Sequence, residues 1–436
     1  MSIDRTLQAY QRFGVSLGLE RIKRLLTDLG NPQQRVPAIH VAGTNGKGSV
    51  CTYLSSILAA AGYRVGRYTS PHLVDWCERI CLNDRPIAPP TLQKTLDRIA
   101  AAITPDRPCP TQFEVLTAAA WLYFAEQAVD IAVVEVGLGG RLDATNAIDR
   151  PLVSIITSIS WDHCERLGNS IAAIAGEKAG ILKSGCPAVI GELPPDAQAV
   201  VANRLAELKC PAVWVKPAQR VEEEQRVQPT ETPTFSSSHP TLPLACYNGL
   251  NYPLPLAGEV QFSNSALAIE AVNSLRQQGW AIADAAVQTG MANAKWSGRL
   301  QWVTLEGDRA LLVDGAHNLA SAQALRQYVD TLAPQSMPTA WVVGMLSTKD
   351  RKGILQALLR SGDRLYLVPV PGHSSAELTE LAQFAEDICP QLKSCQIYGD
   401  LSEGLTAAAI DEILTVLCGS LYLVGHFFRQ LNDPDG

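Results

Sequence analysis

The chain has 436 residues, enough for two domains, since single cores rarely grow beyond about 250–300 residues. Hydrophobic residues make up 47% and charged residues 18%, which excludes a disordered chain and fits globular composition. A formal net charge of −7 argues against non-specific nucleic-acid binding, although a local basic site for phosphates remains compatible with it.

The opening segment MSIDRTLQAYQRFG is charged and has no apolar run, so it does not read as a secretory signal. No run of about 18 apolar residues occurs, so no membrane span is expected. The 11 cysteines are scattered, and Cys77 with Cys81 has no second pair or histidine to complete a zinc pattern. Free thiols in a reducing cytoplasm are expected.

Taken in chain order, strand-length apolar runs alternate with helical segments. Strands are predicted at Val36–Ala42, Val65–Tyr68, Ile131–Val136, Leu152–Ile159 and Ala188–Ile190. Continuous apolar runs of this kind suit parallel strands covered on both faces. In Lys47–Ala61, Val50, Leu54, Ile57, Leu58 and Ala61 recur on one face of a helix. The stretch Lys216–Pro255 holds seven prolines and reads as irregular hairpin or loop structure at the edge of a first domain. Helical periodicity returns at Asn264–Gln278. A second α/β series begins near Trp302, with strands predicted at Ala310–Val313, Trp341–Val343, Leu365–Val368 and Leu421–Val424. The expected fold is therefore α/β, with a phosphate-loop parallel-sheet domain over residues 1–295 and a smaller Rossmann-like α/β domain over 296–436.

Residues 40–50 read HVAGTNGKGSV, an apolar strand entering a glycine-rich turn and then an amphipathic helix. Glycines let backbone N–H groups approach phosphate oxygens, Lys47 adds a positive charge, and the helix N-terminus adds its partial positive charge. Ser49 is placed to support Mg²⁺ or a phosphate. The spacing departs from the usual GxxxxGK[ST], because Gly48 separates the lysine from the serine.

Residues 130–146 read DIAVVEVGLGGRLDATN. Glu135 ends a buried strand, where α/β sheets place their ligands. A carboxylate there is costly unless it meets a metal or a cation, and a structural salt bridge competes with the metal reading. Residues 160–163 read SWDH, again after an apolar strand, which puts Asp162 and His163 on the same sheet edge. A metal role for His163 follows from that shared edge. Lys178, in GEKAGILK, is by itself an ordinary helix-borne charge.

Together these segments resemble folylpolyglutamate synthase and dihydrofolate synthase, members of the Mur ligase superfamily. The resemblance spans LGLERI (17–22), HVAGTNGKGSV (40–50), TSPHL (69–73), ERI (78–80), EVGLGGRLDATN (135–146), SWDH, GEKAGI (176–181), SGRL (297–300), DGAHN (314–318) and GSLYLVG (419–425). The peptidoglycan Mur ligases fit less well. Their loop reads GTNGKT[ST], and they carry an N-terminal uridine-nucleotide domain for which 42 residues before Gly43 leave too little chain.

The resemblance implies an ATP-dependent ligase that adds L-glutamate to dihydropteroate or folate through an acyl phosphate, with small-molecule substrates; no long exposed apolar stripe in the sequence demands a protein partner, so a monomer is the default expectation. By the same resemblance Asn45, Gly46, Lys47, Gly48 and Ser49 hold ATP phosphates, and Asn264, Arg299 and Asp314 are further nucleotide contacts. Ser70, Glu135 and His163 match the magnesium ligands. Lys178 matches a lysine that is carbamylated in the family, and His317 lies in a segment near the glutamate site. Phe113 and Leu142, Asp143 and Ala144 match positions lining the pterin pocket of bifunctional enzymes. A Mur-type ligase on another carboxylate, or a phosphate-loop module without ligase chemistry, are the alternatives.

Overall fold

A computed structural model describes residues 3–11, 17–104, 106–221, 243–305, 307–332, 337–409 and 413–432. Two compact units emerge. One comprises the described residues up to Val221 with Pro243–Pro255 and Gln261–Lys295; the other comprises Leu256–Val260 and the described residues from Trp296 onward.

The first unit is organised by an eight-stranded sheet. Its strands are β1 Ala38–Ala42, β2 Val65–Tyr68, β3 Ile80–Leu82, β4 Arg85–Pro86, β5 Ile131–Glu135, β6 Val153–Ile156, β7 Ala188–Ile190 and β8 Ala212–Trp214. They lie in the order β4-β3-β2-β5-β1-β6-β7-β8. All neighbours from β2 to β8 run parallel, and only β3 and β4 are antiparallel additions. Every residue of β1, β2, β5 and β6 is buried. That explains why these strands read as largely apolar runs, with His40, Arg67, Glu135 and Ser154 as buried polar exceptions.

The order places β1 between β5 and β6, with Val41 level with Glu135 and Ala42 level with Ile156. The chain leaves β1 for β2 on one side and later crosses to β6 on the other. Such a reversal opens a crevice at the carboxyl ends of the strands, where ligands of α/β sheets bind. Helix Lys47–Ala60 follows β1 and buries ten of its residues. Helix Gln112–Glu126 opens on a capping box in which Thr111 and Glu114 satisfy each other's backbone N–H groups. It packs into a core that includes Trp121, Phe124, Val134 and Ala144.

The proline-rich stretch is partly described. Residues 222–242 lie outside the described residues. Around them β9 Gln219–Arg220, β10 Leu244–Tyr247 and β11 Leu250–Pro253 form a small antiparallel sheet. Its β10–β11 hairpin turns at Asn248-Gly249, both with positive φ (50° and 80°), the pattern of a tight hairpin turn. The helix expected at Asn264–Gln278 spans Val260–Gln277.

The second unit holds a six-stranded sheet of β12 Gln301–Leu305, β13 Arg309–Val313, β14 Ala340–Val343, β15 Arg364–Leu367, β16 Ser394–Ile397 and β17 Thr415–Cys418. The order is β12-β13-β17-β14-β15-β16, parallel apart from the β12–β13 hairpin. The expectation of a strand at Leu421–Val424 is corrected here: those residues begin helix Leu421–Asn432, and the strand is β17, just upstream. A short apolar run does not distinguish a buried strand from a buried helix face. Leu423, Val424 and Phe427 are buried at helical spacing.

Candidate active site

The site is built at the carboxyl ends of β1, β2, β5 and β6. After Ala42 the chain turns through Gly43-Thr44-Asn45-Gly46 and enters the helix at Lys47. Gly46 has φ +84°, and a Cβ there would lie 2.4 Å from Asn264 Oδ1. Only glycine combines that backbone with that approach. Asn264 thus packs directly on the loop. Its Nδ2 donates to Gln261 Oε1 (3.1 Å), and Gln261 Nε2 reaches Ser49 Oγ at 3.4 Å.

The segment after β6 fastens the other flank of the loop. Thr44 N donates to Ser158 O (2.7 Å), and Asn45 N donates to Ser158 Oγ (3.1 Å). Thr157 Oγ1 donates to Asn45 O at 2.6 Å, and Ser160 N donates to Thr44 Oγ1 at 3.1 Å. Thr157, Ser158, Ser160 and Gln261 were not expected from sequence. They lie far from the loop in the chain, and single hydroxyl or amide residues carry no pattern. The neighbouring of β6 and β1 reveals the first three, and the packing of helix Val260–Gln277 on the loop reveals Gln261.

Lys47 Nζ donates to Gly43 O and Thr44 O, each at 3.1 Å, and lies 3.9 Å from Glu135 Oε1. Glu135 is 4% exposed. Its Oε2 accepts from Ser70 N at 3.1 Å, so the strand ends of β2 and β5 meet there. The cation beside Glu135 is Lys47. Arg141 pairs instead with Glu177, at 2.7 Å.

Lys178 is buried, in helix Ile171–Ala179, and its Nζ donates to Gly43 O at 2.9 Å. Burial lowers its pKa to about 7, with the Lys47 charge as the second cause; Asp162 and Asp143 act in the opposite direction. His163 has φ 52° and starts the short helix Cys164–Leu167. Its ring lies 3.8 Å from Asp162 and 3.9 Å from Glu165, and its side chain is 41% exposed.

Sequence expectation therefore meets geometry unevenly. The structure gathers Asn45, Gly46, Lys47, Ser49, Ser70, Glu135, Lys178 and Asn264 around one loop, and Gly48 lies in the same helix turn. It places His163 on the turn carrying Asp162. Among the described residues no group of three or more His, Cys, Asp or Glu side chains stands ready to hold a metal. The expected ligands Ser70, Glu135 and His163 offer a hydroxyl, a carboxylate and an imidazole. Ser70 and Glu135 offer the hard oxygen donors that Mg²⁺ takes alongside water and phosphate oxygens, whereas the His163 imidazole is a softer nitrogen donor that Mg²⁺ takes less readily.

The four pterin-pocket expectations lie beside the turn that follows β5. Phe113 packs so closely that a Cβ on Gly137 would be 2.4 Å from its ring. The buried Asp143 accepts from Leu138 N (2.8 Å), Thr145 N (3.0 Å) and Thr145 Oγ1 (2.5 Å). Burial pushes its pKa up, and these bonds pull it down. Ala144 joins the core, and Leu142 O accepts from Gly18 N at 3.2 Å.

In the second unit Asp314, just past β13, is buried. It accepts from Leu300 N and Ala316 N, each at 2.8 Å. Burial raises its pKa, and the neighbouring Arg299 charge opposes that shift. His317 Nδ1 lies 2.8 Å from Gly315 O, and its backbone N–H donates to Ser321 Oγ at 3.1 Å.

A phosphate loop on a parallel sheet, flanked by a buried carboxylate and two lysines, defines the nucleotide-binding core of a Mur-type ligase. Residues 41–272 match the Mur ligase middle domain, and residues 301–430 match the C-terminal domain of dihydrofolate synthetase. The dihydrofolate synthetase of Saccharomyces cerevisiae is 34% identical over 96% of this chain and 99% of its own length. The dihydrofolate synthase/folylpolyglutamate synthase of Escherichia coli is 35% identical over 96% of this chain and 92% of its own. A solved folylpolyglutamate synthase of Mycobacterium tuberculosis, complexed with ADP and AMPPCP, superposes with a TM-score of 0.82. It is 30% identical, and the match covers 98% of each chain. The chain belongs to the dihydrofolate synthase/folylpolyglutamate synthase family of Mur ligases.

Proposed function

We propose that this chain joins L-glutamate to the carboxylate of dihydropteroate and of tetrahydrofolate, with ATP as the phosphoryl donor. The observation that carries the reading is the convergence of Lys47, Lys178 and Glu135 on the loop at the end of β1.

A carboxylate oxygen is too poor a leaving group for direct amide formation. Transfer of the ATP γ-phosphoryl group to that oxygen creates an acyl phosphate. The glutamate amine then attacks the acyl carbon, the C–O bond breaks, and inorganic phosphate leaves. In this reading the N–H groups of Gly46, Lys47, Gly48 and Ser49 and the Lys47 ammonium neutralise phosphoryl oxygens. Holding carboxylate and γ-phosphate in line contributes roughly 7–11 kcal/mol. A dry site protects the acyl phosphate from hydrolysis. Asn264, Arg299 and Asp314 are proposed nucleotide contacts, and His317 is proposed at the glutamate site. Phe113, Leu142, Asp143 and Ala144 are proposed to line the pterin pocket.

Ser70, Glu135 and His163 are proposed to hold Mg²⁺, which when bound supplies charge stabilisation to the phosphoryl oxygens. Lys178 is proposed to be carbamylated. The chemistry requires a neutral amine, whose lone pair attacks CO₂, forms an N–C bond and releases one proton. Burial and Lys47 bring Lys178 to about 7, so a sizeable neutral fraction exists near neutrality. A monomer acting in the cytoplasm completes the proposal.

Isotope tracing tests the central step. With ¹⁸O in the pterin carboxyl group, one labelled oxygen is expected in the released phosphate. Amide formation with unlabelled phosphate would remove the acyl-phosphate mechanism. Glutamate-dependent ADP release with dihydropteroate and with tetrahydrofolate separates one activity from both.

A further inference from the structure

His40 is an odd residue for its position. It sits in the middle of β1, fully buried, three residues before the phosphate loop. Burial, and secondarily the Lys183 charge, lowers its pKa to about 3. The ring is therefore neutral under working conditions. Its Nδ1 has no hydrogen-bond partner among the described residues. An unsatisfied buried acceptor carries a cost, and leucine would fill similar volume without it. What the imidazole adds is one directed polar contact: Nε2 lies 2.9 Å from Thr145 Oγ1.

The direction of that contact follows from its neighbour. Thr145 Oγ1 donates to Asp143 Oδ1 at 2.5 Å. A hydroxyl has one proton. With that proton given to the carboxylate, the oxygen accepts from His40, so His40 is the Nε2–H tautomer. The bare Nδ1 is the same tautomer seen from the other side. The chain then runs His40 Nε2–H to Thr145 Oγ1–H to Asp143 Oδ1, while Asp143 Oδ2 accepts from Leu138 N in the turn that packs on Phe113.

We propose that His40 is a positioning residue for the pterin end of the site: through the Thr145 hydroxyl it fixes the Asp143 carboxylate and with it the Leu142–Ala144 segment. This rests on the reading above, in which that segment and Phe113 line the pterin pocket. His40 touches no phosphate-loop atom through its side chain in this relay. Its loss therefore acts on pterin binding and leaves nucleotide binding in place.

Steady-state kinetics on wild type, His40→Leu, His40→Gln, Thr145→Val and the double variant His40→Leu/Thr145→Val test it. His40→Leu and Thr145→Val each raise KM for the pterin substrate about tenfold, the range for leaving one buried polar partner unmatched. KM for ATP stays within about twofold in both. The double variant is no worse than the poorer single variant, because both remove one relay. His40→Gln, whose amide can donate at similar reach, restores most of the loss. Equal rises in both KM values, or additive losses in the double variant, would make His40 a packing residue and overturn the proposal. Where His40→Leu fails to fold, Thr145→Val and His40→Gln carry the same comparison. Failure of the wild type to turn over either pterin with glutamate would remove the underlying reading; an active wild type with unmoved pterin KM in the variants removes the His40 role alone.

Discussion

Lys47 and Lys178 donate to one carbonyl oxygen, that of Gly43, at 3.1 and 2.9 Å. Two cations on one acceptor repel each other, and the second is also cut off from water. Burial is the larger cause of the lowered Lys178 value and the Lys47 charge the smaller. The two lysines thereby divide the work in the proposed mechanism. Lys47, less buried and bonded to two loop carbonyls, is the cation for phosphate; Lys178 is the one able to shed its proton.

That division predicts a pH dependence of stability. The folded Lys178 value of about 7 lies below the ordinary 10.5. Below about 7 both folded and unfolded states hold the proton, and the cost of the buried cation is fully present. Between the two values the unfolded chain binds more protons, so stability rises with pH. In CO₂-free buffer, urea midpoints of wild type climb from about pH 6.5 to about pH 9.5 more steeply than those of Lys178→Met. Parallel curves for the two proteins would show that Lys178 does not titrate in that window.

Removing the Lys47 charge leaves the loop backbone in place but strips the phosphoryl oxygens of their mobile cation. Lys47→Ala is expected to lower glutamate-dependent ADP release by at least about 10²–10³, the usual loss for one transition-state charge partner. Far-ultraviolet circular dichroism stays unchanged, because Lys47 Nζ bonds the loop carbonyls of Gly43 and Thr44 and lies near Glu135, with no bond inside its own helix body. Near wild-type turnover would sink the phosphate-loop assignment.

Gly46 makes a steric prediction. At φ +84° an alanine is strained by roughly 1–2 kcal/mol, and its Cβ would meet Asn264 Oδ1 at 2.4 Å. Asn264 must swing away, which breaks its bond to Gln261 and loosens Gln261 from Ser49. Gly46→Ala is expected to weaken ADP binding about tenfold, by calorimetry, and to leave the pterin KM nearly unmoved. Adding Asn264→Ala relieves the clash but not the strain, so ADP affinity recovers in part at most. Unchanged ADP affinity in Gly46→Ala would place the Gly46–Asn264 contact outside the nucleotide site.

What could be read from sequence follows how local each signal is. The phosphate loop is legible because strand, glycine turn and helix are contiguous, and Glu135 is legible because a charge ending an apolar strand is costly. Thr157, Ser158 and Ser160 were not, because their partner Thr44–Asn45 is more than a hundred residues away in the chain, and the pairing depends on β6 lying beside β1. Gln261 shares that difficulty across 212 residues to Ser49. LYLV at the start of helix Leu421–Asn432 reads as a strand because four apolar residues have no period of their own. The true strand, Thr415–Cys418, is equally short and is separated from Leu421 by only two residues.

The second unit has its own buried hinge of charge, and it predicts a stability loss. Asp363 accepts from Arg326 Nη1 and Trp341 Nε1, each at 3.0 Å. It also accepts from Thr339 N and Arg360 N, each at 2.9 Å. Asp363 and Arg326 are both nearly fully buried. Asp363→Ala leaves a guanidinium and an indole N–H facing a void, so a loss of about 3–5 kcal/mol is expected in the unfolding of this unit. Arg326 keeps its exposed-side partner Asp330 at 2.6 Å, which holds the loss toward the lower end. Asp363→Asn keeps the volume but turns an NH₂ toward donors, so it recovers little. Urea denaturation of the three proteins reads the order directly. A loss below about 1 kcal/mol in Asp363→Ala would mean that water or local rearrangement satisfies the freed donors, and that this buried network contributes little to the unit's stability.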